Sequence, residues 1–462
     1  MQSSKSIMLT IIVACQLMVV LDSSVMVTAL PEIGRTLHLT TANLTWVQNA
    51  YILAYGGFML LGARAGDILG RRRIFRAGIA LFTFASLLAG MAQSAGFLLG
   101  ARALQGLAAA MATPSTLALL SVSFVETKER SRAIAIYSAV SGGGGSVGLI
   151  LGGMLTEWIS WRVGMFINVP IGIALLIIIP KYLQETQKRT GHFDLLGAVM
   201  SVVGMTSLVF GFVQAAAVGW HHTVTLAPLA AGIVLMAGFV AVEARAKEPI
   251  IPLRLFSSRE RSGAYLGRFL FICGNFSLFF FIPQFLQNVL GFSSFESGLA
   301  FVPFTGVQFG MMYVMPWLVS RFGSVKVLMT GLVIAILGTI WCSQLSTGTS
   351  FFPNMFLPLI LMGIGAGMVF QPLTVIGLTD VDPGDSGAAS GLINVAHQIG
   401  ASMGLAVLST VFESVYRSSS PSAEQFAHAA SVAVTGSAVF LTSTLLVTLL
   451  LLFRPAWKLR SE

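Results

Sequence analysis

The chain has 462 residues, of which 55% are hydrophobic and 10% are charged, and its formal net charge is +9. Soluble domains have about 25% charged residues, so this composition excludes a soluble protein or a soluble enzyme. A membrane-spanning helix needs about 20 mainly apolar residues, and the chain has room for fourteen of them. The composition therefore predicts an all-α polytopic membrane protein.

Hydropathy windows of about 19 residues predict fourteen membrane-spanning segments. The two segments within 193–243 are separated by Trp220, His221 and His222, which indicate either a short loop or a break in a helix. Without that pair the number of spans is twelve. The predicted segments are 7–30, 45–66, 74–95, 97–122, 132–155, 164–182, 193–215, 224–243, 263–286, 297–319, 325–345, 353–377, 387–412 and 432–453.

The basic residues are strongly segregated between the two sides of the membrane. Of the 27 lysines and arginines, only Arg35, Arg162 and Arg417 fall on one side. Arg64, Arg102 and Arg268 fall within or at the edge of predicted helices, and the others lie on the side of the termini. Because short cytoplasmic loops are rich in Lys and Arg, this pattern predicts that both termini are cytoplasmic. Topology therefore accounts for the positive charge, and we expect no nucleic-acid partner.

Two kinds of site are not indicated by the sequence. Cys15, Cys273 and Cys342 lie in predicted helices without paired spacing, so neither a disulfide framework nor a metal site is expected. The chain also has no Gly-x-x-x-x-Gly-Lys-[Ser/Thr] loop and no convergent catalytic set. Direct use of ATP and enzymatic activity are therefore not expected.

Eight stretches of the chain resemble the motifs of a known family. They are Leu21 to Pro31, Gly62 to Arg73, Arg102 to Gly106 followed by Pro114, Gly142 to Gly153, Trp161 to Gly172, Phe193 to Gly197, Ser297 to Pro303, and Gly387 to Leu392. These stretches resemble the major facilitator superfamily, and within it the fourteen-helix drug:proton antiporter family. The resemblance runs nearly end to end. It departs from the family at Ala63 and Ile68, and at Leu149, where the fifth-helix motif usually has a proline.

The resemblance implies a particular domain organisation. The expected fold is the major facilitator fold, with two six-helix bundles and two inserted helices. The expected limits are 1–190 for the first bundle, 191–250 for the inserted pair and 251–462 for the second bundle.

The turn between the second and third segments carries a carboxylate beside a run of arginines. Asp67 ends one helix close to the start of the next, where the helix dipole and guanidinium groups favour a negative charge. This pattern predicts a breakable cytoplasmic latch. A solvated basic turn would explain the arginines but not the carboxylate. The predicted gating residues are Asp67, Gly70, Arg71, Arg72 and Arg73.

Small residues four positions apart in the fifth segment allow another helix to approach closely. The resemblance associates this stretch with antiport, although helix packing alone also explains it. The predicted packing residues are Gly144, Gly148, Gly152 and Gly153.

Three residues within predicted spans are candidates for proton coupling. Burial favours the neutral form of a carboxyl group and a bound cation favours its charged form, so Asp22 could exchange a proton for a cationic substrate. The alternative is a structural carboxylate that is hydrogen-bonded to neighbouring helices. The resemblance implies proton transfer for Arg102, which must face a cavity or a partner within the membrane, and the alternative is a purely structural arginine. His397 is the second titratable candidate, with a neutral core histidine as the alternative.

Aromatic and polar residues in the ninth segment indicate one wall of a binding cavity, and residues of the second segment indicate the other. Aromatic rings provide cation–π contacts for a lipophilic cation. The predicted substrate-binding residues are Asp22, Trp46, Tyr51, Tyr55, Asn275, Phe276, Phe280, Gln284 and Asn394.

The resemblance implies a proton-coupled efflux antiporter of the bacterial inner membrane that exports amphiphilic, cationic compounds by alternating access. The alternative is an exporter dedicated to a single metabolite such as an antibiotic, an amino acid or a siderophore, because a fold does not define its ligand. The expected partners are the substrate, protons and the lipid bilayer. We expect a monomer with no cofactor, driven by the proton gradient.

Overall fold

The computed structural model describes residues 2–39, 41–185, 195–246, 251–382, 385–416 and 422–453, and these residues contain helices but no β-strand. A 3₁₀ turn, Leu253–Phe256, precedes the tenth helix, and a π-helical turn, Thr448–Leu452, extends the last one. The described α-helices are α1 (Gln2–Thr36), α2 (Thr41–Leu69), α3 (Arg71–Gly90), α4 (Ala95–Ser123), α5 (Thr127–Trp158), α6 (Trp161–Phe166), α7 (Asn168–Tyr182), α8 (Leu195–Val218), α9 (Thr223–Glu243), α10 (Arg259–Asn288), α11 (Ser294–Leu299), α12 (Val302–Phe322), α13 (Ser324–Cys342), α14 (Phe356–Gly377), α15 (Ser386–Tyr416) and α16 (Ala423–Val447).

Fourteen helical stretches within the described ranges are long and apolar enough to span a membrane. Two of them join a short helix to a long one, α6 with α7 and α11 with α12. The predicted number of spans is therefore confirmed. The alternative of twelve is wrong, because α8 and α9 are separate spans joined by a short turn at 219–222, where Gly219 adopts a φ of 95°.

The outer surface of the helices is apolar, as a lipid environment requires. In α9 the described buried residues are only Thr225, Gly232, Phe239 and Glu243, whereas Ile233 and Val234 are 62% and 68% exposed. A helix places all its backbone hydrogen bonds within itself, so lipid can cover such a face without leaving polar groups unsatisfied. The chain is thus a multi-pass membrane protein.

The limits of the predicted segments agree well with the helices, with the largest difference in the last one. The fourteenth segment is predicted to begin at 432, but α16 begins at Ala423. Ser422 caps this helix by accepting a hydrogen bond from the backbone N–H of Gln425. A cap and small residues suffice to start a helix, although the first turns are too polar for a hydropathy window to detect.

The spans form two six-helix bundles, α1–α7 and α10–α16, with α8 and α9 inserted between them in sequence. Helix α8 packs on α2 of the first bundle and on α15 of the second. The turn after α8 is tied to α15, since Trp220 Nε1 donates to Thr410 Oγ1 at 2.7 Å. The predicted boundary at 190 and 191 lies outside the described residues, and the boundary at 250 and 251 lies at their edge.

Candidate functional site

A carboxylate of α1, Asp22, lies at the centre of a polar cluster inside the first bundle. Asp22 and Arg102 of α4 are both 0% exposed, and Arg102 Nη1 is 2.5 Å from Asp22 Oδ2. The other carboxylate oxygen accepts hydrogen bonds from Gln105 Nε2 at 2.8 Å and from Asn168 Nδ2 at 3.0 Å. Asp22 is therefore neutralised by a cation and bound by donors from α4 and α7.

Two of the proton-coupling candidates, Asp22 and Arg102, thus form one unit, whereas the sequence suggested them separately. Sequence reasoning missed Gln105 and Asn168, because an uncharged amide in a span gives no strong signal. Gln105 could have been found from its position three residues after Arg102, which places both side chains on one helix face. Asn168 follows Asp22 by 146 positions, and no local pattern links the two.

The remaining contacts of Arg102 involve the second helix of the chain. Its Nε donates to the carbonyl of Val47 at 3.2 Å, and its guanidinium lies 4.6 Å from the ring centre of Tyr51. Tyr51 also packs on Tyr55, with ring centres 5.5 Å apart. Both tyrosines, which the sequence suggested as substrate contacts, therefore lie next to the Asp22 cluster.

The other predicted substrate-binding residues lie apart from this cluster. Trp46 packs on Phe210 of the inserted helix α8, with ring centres 5.9 Å apart. Among the hydrogen bonds and ring contacts of the described residues, none joins Trp46, Tyr51 or Tyr55 to the predicted wall in α10. In that wall Asn275 is buried, whereas Phe276 and Phe280 are about 40% exposed. Gln284 donates to the carbonyl of Phe280 within the same helix. Asn394 of α15 donates to the carbonyl of Ser390.

The predicted latch residues form a buried ion pair at the junction of the two bundles. Arg71 Nε and Nη2 each lie 3.0 Å from Asp67 Oδ1, and both side chains are nearly inaccessible. Asp67 also lies against the first turn of α15, because a Cβ added to Gly387 would be 2.1 Å from Asp67 Oδ1. The carboxylate is thus enclosed between an arginine of its own bundle and the N-terminus of a helix of the other.

A second carboxylate, that of Glu185, lies at the N-terminus of α3. Its carboxylate accepts hydrogen bonds from the backbone N–H of Arg72 at 3.0 Å and of Arg73 at 3.2 Å. Gly70 adopts a φ of 105°, and a Cβ there would lie 2.7 Å from the Glu185 carboxyl carbon. A glycine is therefore required at 70 both for backbone conformation and for space.

The small residues of α5 bring this helix close to α1. A Cβ on Gly148 would lie 2.5 Å from Ser24 Cβ, and one on Gly152 would lie 2.7 Å from the Cα of Val25. Gly144 faces Val20 of the same helix, and Gly153 is buried. The stripe therefore packs α5 against the helix that carries Asp22.

The third proton-coupling candidate, His397, has an arginine as its neighbour. Arg268 Nη2 lies 3.4 Å from His397 Nδ1, and Arg268 Nη1 donates to the carbonyl of Phe370 at 3.3 Å. The Arg268 guanidinium also lies over the ring of Phe370, 4.4 Å from its centre. In the sequence, Arg268 stands out only as a basic residue within or at the edge of a predicted helix. Arg268 is only 4% exposed, and a buried arginine in a membrane span indicates a functional site. This burial is visible only in the structure.

A small cavity lies where α5 meets α12 and α14, at the interface of the bundles. Its volume is about 10 Å³, roughly that needed by one water molecule. The lining includes Gln308, Gln371 and Ser138. Within the described part of the chain, neither amide atom of Gln308, nor Gln371 Oε1, nor Ser138 Oγ has a hydrogen-bond partner. The interface thus contains buried polar groups that have no partner among the described residues and that line a cavity about the size of one water molecule.

The bundles touch at both ends. At the end of the arginine turn, Ser390 Oγ donates to the carbonyl of Pro114 at 2.7 Å, and Gln371 Nε2 donates to Ser131 Oγ at 3.1 Å. At the opposite end, the rings of Trp158 and Phe295 are 5.7 Å apart. Two bundles with buried charges and a polar interface between them are typical of a membrane transporter.

The comparisons with known proteins agree with that class. A family model described as Major Facilitator Superfamily matches residues 12–405. The chain belongs to the major facilitator superfamily. It is a membrane transporter and not an enzyme, as the sequence predicts.

Several bacterial relatives are similar over most of the chain. The cephamycin export protein CmcT of Amycolatopsis lactamdurans is 38% identical over 445 residues, which cover 95% of this chain and 91% of that protein. The puromycin resistance protein pur8 of Streptomyces alboniger is 37% identical over 409 residues, covering 87% and 81%. The multidrug resistance protein Stp of Mycobacterium tuberculosis (strain CDC 1551 / Oshkosh) is 32% identical over 399 residues, covering 85% and 73%.

A solved structure shares the fold. The crystal structure of the human organic anion transporter MFSD10 (TETRAN) superposes with a TM-score of 0.68 and covers 96% of this chain and 99% of that chain. The two sequences are 16% identical, so the likeness concerns the fold alone.

Proposed function

We propose that this transporter is a proton-coupled exporter of amphiphilic small molecules in the bacterial inner membrane. The two bundles alternate in access to the two sides, the termini are cytoplasmic, and the chain acts as a monomer. Relatives that are named for antibiotic export and drug resistance support the outward direction. The segregation of basic residues supports the orientation.

The observation that carries the proton coupling is the buried pair of Asp22 and Arg102. An ionisable residue inside a membrane is expensive unless it is paired, and such residues typically serve proton or substrate transfer. A proton on Asp22 would remove the attraction that holds Arg102 at 2.5 Å. Because the donors to Asp22 come from α4 and α7, protonation would change the contacts among three helices of the first bundle.

The same pair bears on the charge of the substrate. The sequence suggests that Asp22 binds a cationic compound, but Arg102 already occupies that position in this structure. A cationic substrate would have to displace an internal guanidinium that Val47 and Gln105 also hold. The geometry therefore supports Asp22 as a proton site more directly than as a cation site.

The second candidate function is export of a single compound. It is supported by CmcT and pur8, whose names each give one antibiotic, whereas the name of Stp gives multidrug resistance. Resistance profiling of cells that express the chain separates the two. Protection against many unrelated dyes and antibiotics indicates a broad exporter, and protection against one compound indicates a dedicated one.

Transport into everted membrane vesicles tests the coupling. Vesicles that contain the protein should accumulate the compound when respiration acidifies their interior, and a protonophore should abolish the accumulation. Vesicles without the protein serve as the control for passive partition into lipid. Accumulation that persists in the presence of the protonophore would contradict proton coupling.

A further inference from the structure

Arg268 of α10 is a buried cation within a membrane span. It lies nine residues after Arg259, the first residue of the helix, and so about 13 Å along the helix axis. Its contacts are the carbonyl of Phe370, the Thr374 hydroxyl at 3.5 Å and the ring nitrogen of His397. None of these partners is a carboxylate.

Two other buried arginines have an acidic partner. Arg102 pairs with Asp22, and Arg71 pairs with Asp67. Over the described ranges, no carboxylate lies within ion-pair distance of Arg268. Membrane-embedded charges normally pair with one another or face a cavity. Arg268 is therefore a positive charge that the described part of the protein does not neutralise.

One edge of the buried Arg268 guanidinium has few partners among the described residues. Its Nε has no hydrogen-bond partner among the described residues, and the only contact of Nη2 is His397 Nδ1 at 3.4 Å. Nε and Nη2 lie side by side on the same edge. Two parallel N–H groups match the two oxygens of a carboxylate, which is the geometry of a bidentate ion pair.

Arg268 lies close to the interface between the bundles. Tyr137 of α5 in the first bundle is close enough to Arg268 for an electrostatic interaction, and it packs in one apolar cluster with Tyr265 and Ile393 of the second. The Tyr137 hydroxyl donates to Gln16 Oε1 at 3.0 Å and accepts from Thr116 at 3.1 Å. A polar row of the first bundle therefore lies near the unneutralised charge of the second.

We propose that Arg268 binds a carboxylate group of the exported compound at this interface. The inference rests on the proposed export function and gives the chemical class of the substrate. The Phe370 ring, which already packs on the guanidinium, supplies an apolar surface beside the carboxylate. An amphiphile with one carboxylate and an aromatic or aliphatic body fits both features. Because the charge of Asp22 is compensated by Arg102, no buried carboxylate of that cluster repels it.

Ligand binding to the purified protein tests the site without any need for transport. The probes are dansyl-phenylalanine, a fluorescent amphiphilic carboxylate, and its methyl ester, which differs by the loss of the negative charge. The variants are Arg268→Gln, which removes the charge, and Arg268→Lys, which keeps the charge but loses the two parallel N–H groups. Arg321→Gln, at an exposed arginine of α12, is the matched control.

We expect wild-type protein and Arg321→Gln to bind the carboxylate about tenfold more tightly than the ester, which corresponds to one charge-assisted ion pair. Arg268→Gln should bind the two probes equally, with ester affinity unchanged. Arg268→Lys should bind the carboxylate only a few-fold more tightly than the ester. This variant tests the site if the glutamine variant does not fold.

A wild type that binds the probes equally or binds neither, or an Arg268→Gln variant that keeps the preference, would overturn the anion site. Proton-driven accumulation in everted vesicles is measured separately. Loss of carboxylate preference together with intact gradient-driven export of the ester leaves the proposed function standing and supports the site. A carboxylate preference without any proton-driven transport supports the site and contradicts the coupling.

Discussion

Because Asp22 is paired with Arg102, replacing it with a neutral residue has two effects. Asp22→Asn removes the titratable group, but it also leaves the Arg102 guanidinium buried without a counter-charge. Breaking one partner of a buried pair typically costs about 3–5 kcal/mol. We therefore expect Asp22→Asn to lose proton-driven export and also to lower thermal stability, as measured by vesicle uptake and by the melting of purified protein.

The double variant Asp22→Asn with Arg102→Gln separates these effects, because it removes both charges together. We expect it to recover stability but not gradient-driven export. His397→Gln, which removes the other titratable candidate, should keep coupling. If the double variant regains proton-driven uptake, the pair has a structural role only. If His397→Gln alone loses uptake, the proton site lies in the second bundle.

A substitution at Gln308, in the small cavity between the bundles, is expected to raise the thermal stability of the protein instead of lowering it. Its buried amide has no hydrogen-bond partner in the described structure, and an unsatisfied buried polar group costs about 1–3 kcal/mol. Gln308→Leu should therefore stabilise this packing of the bundles, raise the melting temperature by a few degrees and slow turnover. Thermal denaturation and vesicle uptake are the measurements.

Gln371→Leu is the matched control in the same cavity. Gln371 Nε2 does make a hydrogen bond across the bundles, to Ser131 Oγ at 3.1 Å, so its loss should lower the melting temperature. A decrease for both leucine variants would show that the unpaired amide of Gln308 does not strain this interface.

At the scale of helices, the junction of α2, α3 and α15 depends on Gly387, a glycine in the first turn of α15. The methyl group of Gly387→Ala would collide with Asp67 and push it away from Arg71 and the N-terminus of α15. A change of about 1 kcal/mol between two states alters their ratio about fivefold. We expect Gly387→Ala to reduce transport by roughly that factor, with the protein still inserted in the membrane.

Gly310→Ala in α12 is the control for adding a methyl group to a helix, since a Cβ there meets no atom within 4 Å. It should transport like the wild type. Asp67→Asn and Arg71→Ala should reduce transport at least as much as Gly387→Ala, because each removes one partner of the same buried ion pair. Normal turnover in Gly387→Ala would show that Asp67 can move aside without effect, and the latch would then have no role in transport.

At the scale of the whole molecule, the orientation in the membrane can be measured with introduced cysteines. Cys15, Cys273 and Cys342 are buried and should not react. Positions 73 and 221 are exposed and lie at opposite ends of the helices. In intact cells, a membrane-impermeant maleimide should label His221→Cys but not Arg73→Cys. Labelling at 73 from outside would place the arginine turn and the termini on the outer side.

The number of spans and nearly all of their positions follow from the sequence alone. Each span can be recognised from about 20 consecutive residues, because a helix in lipid forms all its backbone hydrogen bonds within itself and needs only an apolar surface. Short motifs also identified Asp22, Asp67, Gly70 and the glycines of α5 as sites of interest. The largest difference in a single boundary is at the start of α16, predicted at 432 and found at Ala423, where a serine cap starts a helix that hydropathy does not show.

Which of these groups are partners depends on the tertiary structure. Asp22 meets Arg102 across 80 positions, and Glu185 reaches the backbone of Arg72 across 113. Such pairs depend on how each helix is rotated and on which helices pack together, and hydropathy contains neither quantity. For the same reason, the sequence shows Arg268 only as one of 27 basic residues, within or at the edge of a predicted helix. The packing of α10 against α14 and α15 shows that Arg268 is a buried charge, and the described residues supply no carboxylate to it.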